Sequence, residues 1–328
     1  MPRMPGERER GERAMSGKPK ILVVGSMNMD LMVYGMERIP AFGESVPVKS
    51  YRYADGGKGN NQAYACARMG ASAVIVGRVG DDPFGWQLIR HLEEAGVDCR
   101  YIGKDPNRQT GFDPILVDPQ GRYVSVVAMG ANDALSAQDV RKALDAQPFD
   151  MVVMQLEMPL ETVYRTYEMA AERKIPVFLD AGPAMSVPLE RLRGIFLISP
   201  NEAETRALTG VEVTDEETAR KAAEQLYGRA APRYVLLKLG ARGALVYDGK
   251  TAELVPTFDG EVRDTTAAGD TFGAALAVRL CGGSPMREAV VFANAAATIC
   301  VSRYGAQPSI PRLEEVERFL KDRRAGGM

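Results

Sequence analysis

The chain has 328 residues, a formal net charge of −2 and 45% apolar side chains. That is enough to bury the core of one large α/β domain, and a near-neutral balance without a basic run leaves no footprint for nucleic acid or a membrane surface. No apolar run approaches the roughly 20 residues that a membrane-spanning helix needs.

Residues Met1 to Gly17 are rich in Arg, Glu, Gly and Pro and lack the apolar stretch of a signal peptide. They read as a disordered leader, with Met15 as an alternative start, ahead of a single domain over 18–328. From Lys20 onward β-rich runs alternate with helical periods. Strands are predicted over 21–25, 73–77, 151–155, 176–180, 194–199, 234–239 and 244–247. Helices are predicted near 59–69, 84–95, 137–146, 160–173, 201–209 and 216–229, with two or three more after Asp270. This alternation predicts a mostly parallel central sheet flanked by helices, with ligands beyond the carboxyl ends of its strands. Residues 31–55 and 109–130 break the rhythm with alternating strand patterns and turn residues (Pro40, Gly43, Asp118-Pro119-Gln120-Gly121). They read as a small antiparallel sheet, a candidate lid.

Cys66, Cys99, Cys281 and Cys300 are scattered without pairing or metal spacing, which predicts buried free thiols in a reducing cytoplasm. His91, the single histidine, lies among Leu88, Ile89 and Leu92 and is expected to be structural.

Several strand ends carry chemistry. Gly25-Ser26-Met27-Asn28-Met29-Asp30 fails the dinucleotide fingerprint, because Met27 and Asp30 stand in the later glycine places. Asn28 and Asp30 there suit sugar hydroxyls, or form an Asx turn. In Gly56-Gly57-Lys58-Gly59-Asn60-Asn61-Gln62, three glycines let backbone approach a ligand, and this is no Walker loop. Glu157 follows an apolar strand. Asn201 and Glu204 have capping-box spacing, or place a carboxylate near phosphates. Lys238 to Gly243 is a strand end that approaches a nucleotide or turns a hairpin. Finally, Asp264-Thr265-Thr266-Ala267-Ala268-Gly269-Asp270 leads small residues into a helix expected to begin at the aspartate. Open amides at Ala268, Gly269 and Asp270 suit a phosphate, whereas the Asp270 carboxylate is either a helix cap or a base for a hydroxyl that attacks phosphorus.

Taken together, these stretches resemble the ribokinase-like, phosphofructokinase B-type carbohydrate kinases from about Lys20 to Phe319. The 56–62 and 264–270 stretches are similar to the two family signatures. Met154 to Glu157, Gly130 to Asn132 and Gly305 to Pro311 are similar to its ribose-phosphorylating branch. The resemblance implies ATP-dependent phosphorylation of the primary hydroxyl of a pentose, D-ribose first, with Mg²⁺ and K⁺, in a homodimer joined through the lid. Asn28, Asp30, Gly57, Lys58, Asn61 and Glu157 would hold the sugar, and Asp270 would be the base beside an anion hole at Ala268 and Gly269. ATP would lie along Asn201, Lys238, Gly240, Arg242, Gly243, Gly269 and Asn294. Glu204 would act on Mg²⁺ through water. Asp264, Thr266, Cys300, Arg303, Gly305 and Ser309 would surround the monovalent cation.

Three departures stand out. Asp180-Ala181-Gly182-Pro183 replaces the usual Asn-Pro-Ala-Pro, Lys238 replaces a common threonine, and Asp113-Pro114 stands where the lid usually carries small apolar residues. Another sugar (deoxyribose, fructose or 2-keto-3-deoxygluconate) and a sugar-binding protein without catalysis therefore remain as alternatives.

Overall fold

The computed structural model describes residues 17–118 and 123–325. The leader, except for Gly17, and the lid-turn residues Pro119, Gln120 and Gly121 lie outside the described residues.

Apolar β-branched runs form the middle of the molecule because burial on both faces requires them. Ile21 to Val24 and Met151 to Met154 are buried throughout. The strands are β1 (Lys20–Val24), β2 (Asn28–Tyr34), β3 (Ser50–Gly56), β4 (Ser72–Gly80), β5 (Asp98–Asp105), β6 (Gly111–Val117), β7 (Tyr123–Ser125), β8 (Met151–Met154), β9 (Val177–Asp180), β10 (Leu197–Ser199), β11 (Tyr234–Lys238), β12 (Ala244–Tyr247) and β13 (Ala252–Val255). The helices are α1 (Lys58–Arg68), α2 (Pro83–Glu94), α3 (Ala137–Ala146), α4 (Leu160–Glu172), α5 (Glu202–Thr209), α6 (Glu216–Ala230), α7 (Ala268–Cys281), α8 (Met286–Val301) and α9 (Leu313–Ala325).

Nine strands form the main sheet in the order β13-β12-β11-β10-β9-β8-β1-β4-β5, parallel except where β12 and β13 turn back. The sequence reading does not include β5 and β13. Both are edge strands, β5 with several charges and β13 with Glu253 in its middle, so neither shows a continuous apolar run. The strand order reverses at β1, between β4 and β8, and this switch point opens a crevice at the carboxyl ends. One face of the sheet packs on α1, α7 and α8, whose alanine-rich faces allow close approach, and the other on α3, α4 and α6.

The lid is the sheet β3-β2-β6-β7. Its outer pairs are antiparallel, and the two hairpins meet through a parallel β2–β6 pair. In that register Asp30 pairs with Ala54 on one side and Asp113 on the other, so strand periodicity puts the two aspartates on one face.

Cys66, Cys99 and Cys300 are buried free thiols, but Cys281 is only half-buried, because it closes the last turn of α7 before Gly282 and Gly283. His91 is structural as expected: its Nδ1 lies 2.5 Å from Asp55 Oδ2 and ties α2 to the end of β3.

Candidate active site

The site is assembled at the switch point, and its anion cradle is the start of α7. That helix begins at Ala268 and not at the aspartate. Ala267 is the N-cap, in a left-handed backbone conformation (φ 59°) with no side-chain cap. Such a conformation costs an alanine on the order of 1–2 kcal/mol and tends to occur where function demands it. Asp270 is therefore the third residue of the helix, which removes the cap reading of its carboxylate. The Ala268 amide is also corrected, because it donates to the Thr265 carbonyl at 3.2 Å. The amides of Gly269 and Asp270 donate to no group among the described residues. With the positive end of the helix dipole behind them, these two form the cradle.

The Asp270 carboxylate accepts from Asn61 Nδ2 at 3.0 Å and from Gln62 Nε2 at 3.3 Å. Burial pushes its pKa up to about 6, against the pull of the Lys58 ammonium and with the Asp180 carboxylate adding to the rise. A buried carboxylate with that value is suited to take a proton near neutrality.

The wall predicted to meet the sugar depends on backbone packed against backbone. Gly57 has φ +86°, and a Cβ there would stand 2.7 Å from Asn28 N. A Cβ on Gly59 would stand 2.6 Å from the carbonyl carbon of Gly25. One oxygen of Glu157 accepts the Lys58 amide at 3.1 Å and also the Ser26 hydroxyl. Burial alone would lower the Lys58 pKa, but the carboxylates of Asp270, Asp180, Glu157 and Glu204 outweigh it and keep the ammonium charged. Asn28 Oδ1 accepts from Asn132 Nδ2 at 2.7 Å.

Asp30 is 6% exposed, and its carboxylate accepts no hydrogen bond from any described residue. Burial, then Asp113 and Glu157, push its pKa up to about 8. The sign is set by that rise. The folded state holds a proton that the unfolded chain releases near pH 4, so stability falls as pH rises from about 4 to about 8. Asp30→Asn removes this penalty. Its melting temperature is expected to exceed the parent's by several degrees at about pH 8, with little difference at pH 4; equal temperatures at both would refute the account.

Sequence reasoning missed the residues that organise the Asp270 carboxylate. Gln62 donates to Asp270 and, at 2.7 Å, to Asp180, while its own oxygen accepts from Gln155 Nε2 at 2.6 Å. The available signal was a glutamine directly after an apolar strand, facing another in the glycine-rich helix start.

On the nucleotide side, Asn201 and Glu204 form the capping box that their spacing predicts, with bonds of 2.8 and 2.7 Å. Glu204 is nevertheless 4% exposed, and the oxygen that accepts the Asn201 amide also lies 3.8 Å from Lys238 Nζ. Lys238 Nζ bonds Asp180 directly. Gly240 to Arg242 form a 3₁₀ turn leading into β12, so the hairpin reading also holds. Arg242 is tied to Glu202 at 2.6 Å, and Asn294 Nδ2 to the carbonyls of Val255 and Pro256.

The predicted cation residues lie on two segments, Asp264 and Thr266 before α7 and Cys300 to Ser309 at and after the end of α8, which meet where the Gly305 amide donates to Asp264. Asp264 accepts from the Thr266 amide and hydroxyl and, at 2.8 Å, from the Gly305 amide. Burial pushes its pKa up, but these donors outweigh it and hold the carboxyl below its ordinary range. Cys300 Sγ lies 3.0 Å from Ser309 Oγ. The Arg303 side chain pairs with Glu315 instead, so only its carbonyl is available.

Comparison with known proteins fits this geometry. Residues 18–313 match the model of the pfkB family carbohydrate kinases. The chain belongs to that family. It is 36% identical to a ribokinase of Haemophilus influenzae over 92% of this chain and 98% of that one. It is 32% identical to a deoxyribokinase of Salmonella typhi over 92% and 98%. The structure of Arabidopsis thaliana ribokinase complexed with ribose and ATP superposes with a TM-score of 0.84 at 32% identity, covering 93% of this carbohydrate kinase and 99% of that chain.

Proposed function

We propose that this carbohydrate kinase transfers the γ-phosphoryl group of ATP to the primary hydroxyl of D-ribose, giving D-ribose 5-phosphate. The observation that carries the reading is Asp270, a buried carboxylate beside the two free amides of Gly269 and Asp270. Ribose and ATP in the Arabidopsis relative support both co-substrates. Asp30 and Glu157 accept from sugar hydroxyls, while Lys58 and Asn61 donate. Asp270 takes the proton of the attacking hydroxyl, and the cradle amides stabilise charge on the phosphoryl oxygens as the bond to ADP breaks. ATP lies along Asn201, Lys238, Gly240 and Gly243, with Asn294 and Arg242 supporting that wall through the bonds described above.

The donor sets fit both metals. No group of three His, Cys, Asp or Glu side chains gathers as a metal cage among the described residues, and the buried Glu204 suits an Mg²⁺ that keeps its waters and neutralises phosphate charge. The Asp264 carboxylate with the carbonyls of Thr266, Cys300, Arg303 and Gly305 and the Ser309 hydroxyl form an oxygen-only set suited to K⁺. Exposed Tyr51 and Val126 on the lid support a homodimer joined there. Free thiols support a cytoplasmic setting.

Asp113 beside Asp30 favours keeping deoxyribose as a second reading, because it changes the wall that meets the sugar. The acidic character of this wall disfavours 2-keto-3-deoxygluconate, whose own carboxylate would be repelled by Glu157 and Asp270 and would add to the burden already carried by Asp30. A panel of ribose, deoxyribose, fructose and 2-keto-3-deoxygluconate with Mg-ATP and K⁺, read as ADP release, tests the assignment. Ribose is expected to give the highest kcat/KM, and a panel without pentose preference would remove it.

A further inference from the structure

Two of the departures from the family pattern meet in space. Asp180 ends β9 and Lys238 ends β11, and the lysine ammonium bonds Asp180 Oδ1. Where the family usually has an asparagine and a threonine, this chain has a buried ion pair. Such a pair is an expensive way to hold a turn, since desolvation offsets much of its Coulomb attraction and neutral residues do the job as well. Its position suggests another task. A Cβ on Gly269 would stand 3.7 Å from Lys238 Nζ, so the ammonium lies beside the anion cradle. Glu204 Oε2 lies 3.8 Å from it on the nucleotide side.

We propose that Lys238 contacts the transferring phosphoryl group, and that Asp180 holds it ready until the nucleotide arrives. This rests on the kinase reading and adds to it a cation at a position where threonine is common. Asp180 is suited to the holding role because its second oxygen is fixed by Gln62 at 2.7 Å, so it stays in place when the lysine leaves. The four-carbon stem of a lysine lets its charge move between partners without backbone change. Lys58 reaches the same region from α1, with Asp270, Asp180, Glu157 and Glu204 about it, and it repels Lys238. An anion entering between the two ammonium groups relieves that repulsion. The cradle would then present two amides and two cations, one on the sugar side and one on the nucleotide side, to the charge that develops in phosphoryl transfer.

The test separates phosphate contact from simple neutralisation of Asp180. Lys238→Met leaves the Asp180 charge without its ammonium partner and mixes a folding defect with any loss of phosphate contact, so the deciding variant is the neutral pair Asp180→Asn/Lys238→Met. That variant is expected to melt near the parental temperature and keep its sugar KM within about threefold, yet lose about 100-fold or more in kcat. It is also expected to bind ATP about tenfold more weakly while its ADP affinity is unchanged, with Lys238→Arg restoring part of the difference. Parental kcat and a parental ATP-to-ADP affinity ratio in the double variant would overturn the proposal, leaving Lys238 as a counter-charge only. The affinity ratio is read without turnover. A parent protein inert toward every sugar would therefore sink the kinase reading, while the nucleotide titrations would still decide for or against the lysine.

Discussion

Asp270→Asn is expected to lower kcat about 1,000-fold while sugar affinity stays within a few-fold of the parent, the range general-base removal usually spans. The substitution conserves shape and keeps one oxygen to accept from Asn61 or Gln62. It takes away the carboxylate next to the free amides of the cradle, so the loss belongs to the chemical step and not to binding. Burial already penalises the Asp270 carboxylate, as its pKa of about 6 shows, and the neutral amide lifts that penalty. The variant should thus be no less stable than the parent at about pH 7. Steady-state ADP release together with calorimetric sugar titration checks both halves, and near-parental turnover would refute the role.

Gly59→Ala is expected to raise the sugar KM about 100-fold, because misplacement by about 1 Å can cost that much. The three nearest atoms to the new Cβ are Gly25 C at 2.6 Å, and Gly25 Cα and Ser26 N at 2.8 Å. All are backbone, so no side chain can yield. Either the β1–β2 turn or the start of α1 must shift, and both carry sugar-side groups: Ser26 and the Lys58 amide converge on Glu157. Helix propensity favours alanine over glycine by about 1 kcal/mol, whereas overpacking costs about 1–3 kcal/mol. The balance predicts a lower melting temperature. Raised stability with unchanged KM would mean that backbone contact does not shape the pocket.

Much of the fold was legible because its physics is local. Runs such as Ile21 to Val24 can only be strands buried on both faces, and the helical periods between them have the length and spacing of crossover helices. The edge strands β5 and β13 were hidden by the charges that protect an exposed edge. The start of α7 was misplaced by two residues because an aspartate before a helix looks like a cap, and nothing local reports that Ala267 takes up the left-handed turn instead. Glycines 56, 57 and 59 announced close backbone approach, but not what they approach. The pairings around the base were out of reach, since Gln62 meets Asp180 across 118 residues and Lys238 meets it across 58. Only the assembled crevice brings them together. The lid illustrates the same limit: each hairpin shows in its own alternation, whereas the parallel β2–β6 pairing that sets Asp30 beside Asp113 does not.

The pH dependence of kcat, measured at saturating ATP and sugar in the parent and in Asp270→Asn, tests the proposed base most directly. A carboxylate raised to about 6 must lose its proton before it can accept one, so the parental rate should climb with pH through about 6 along a single ionisation and then level off. The variant should show a low, flat profile over the same range. A parental kcat that stays level from about pH 5 to 7, or an ionisation that survives in Asp270→Asn, would contradict it.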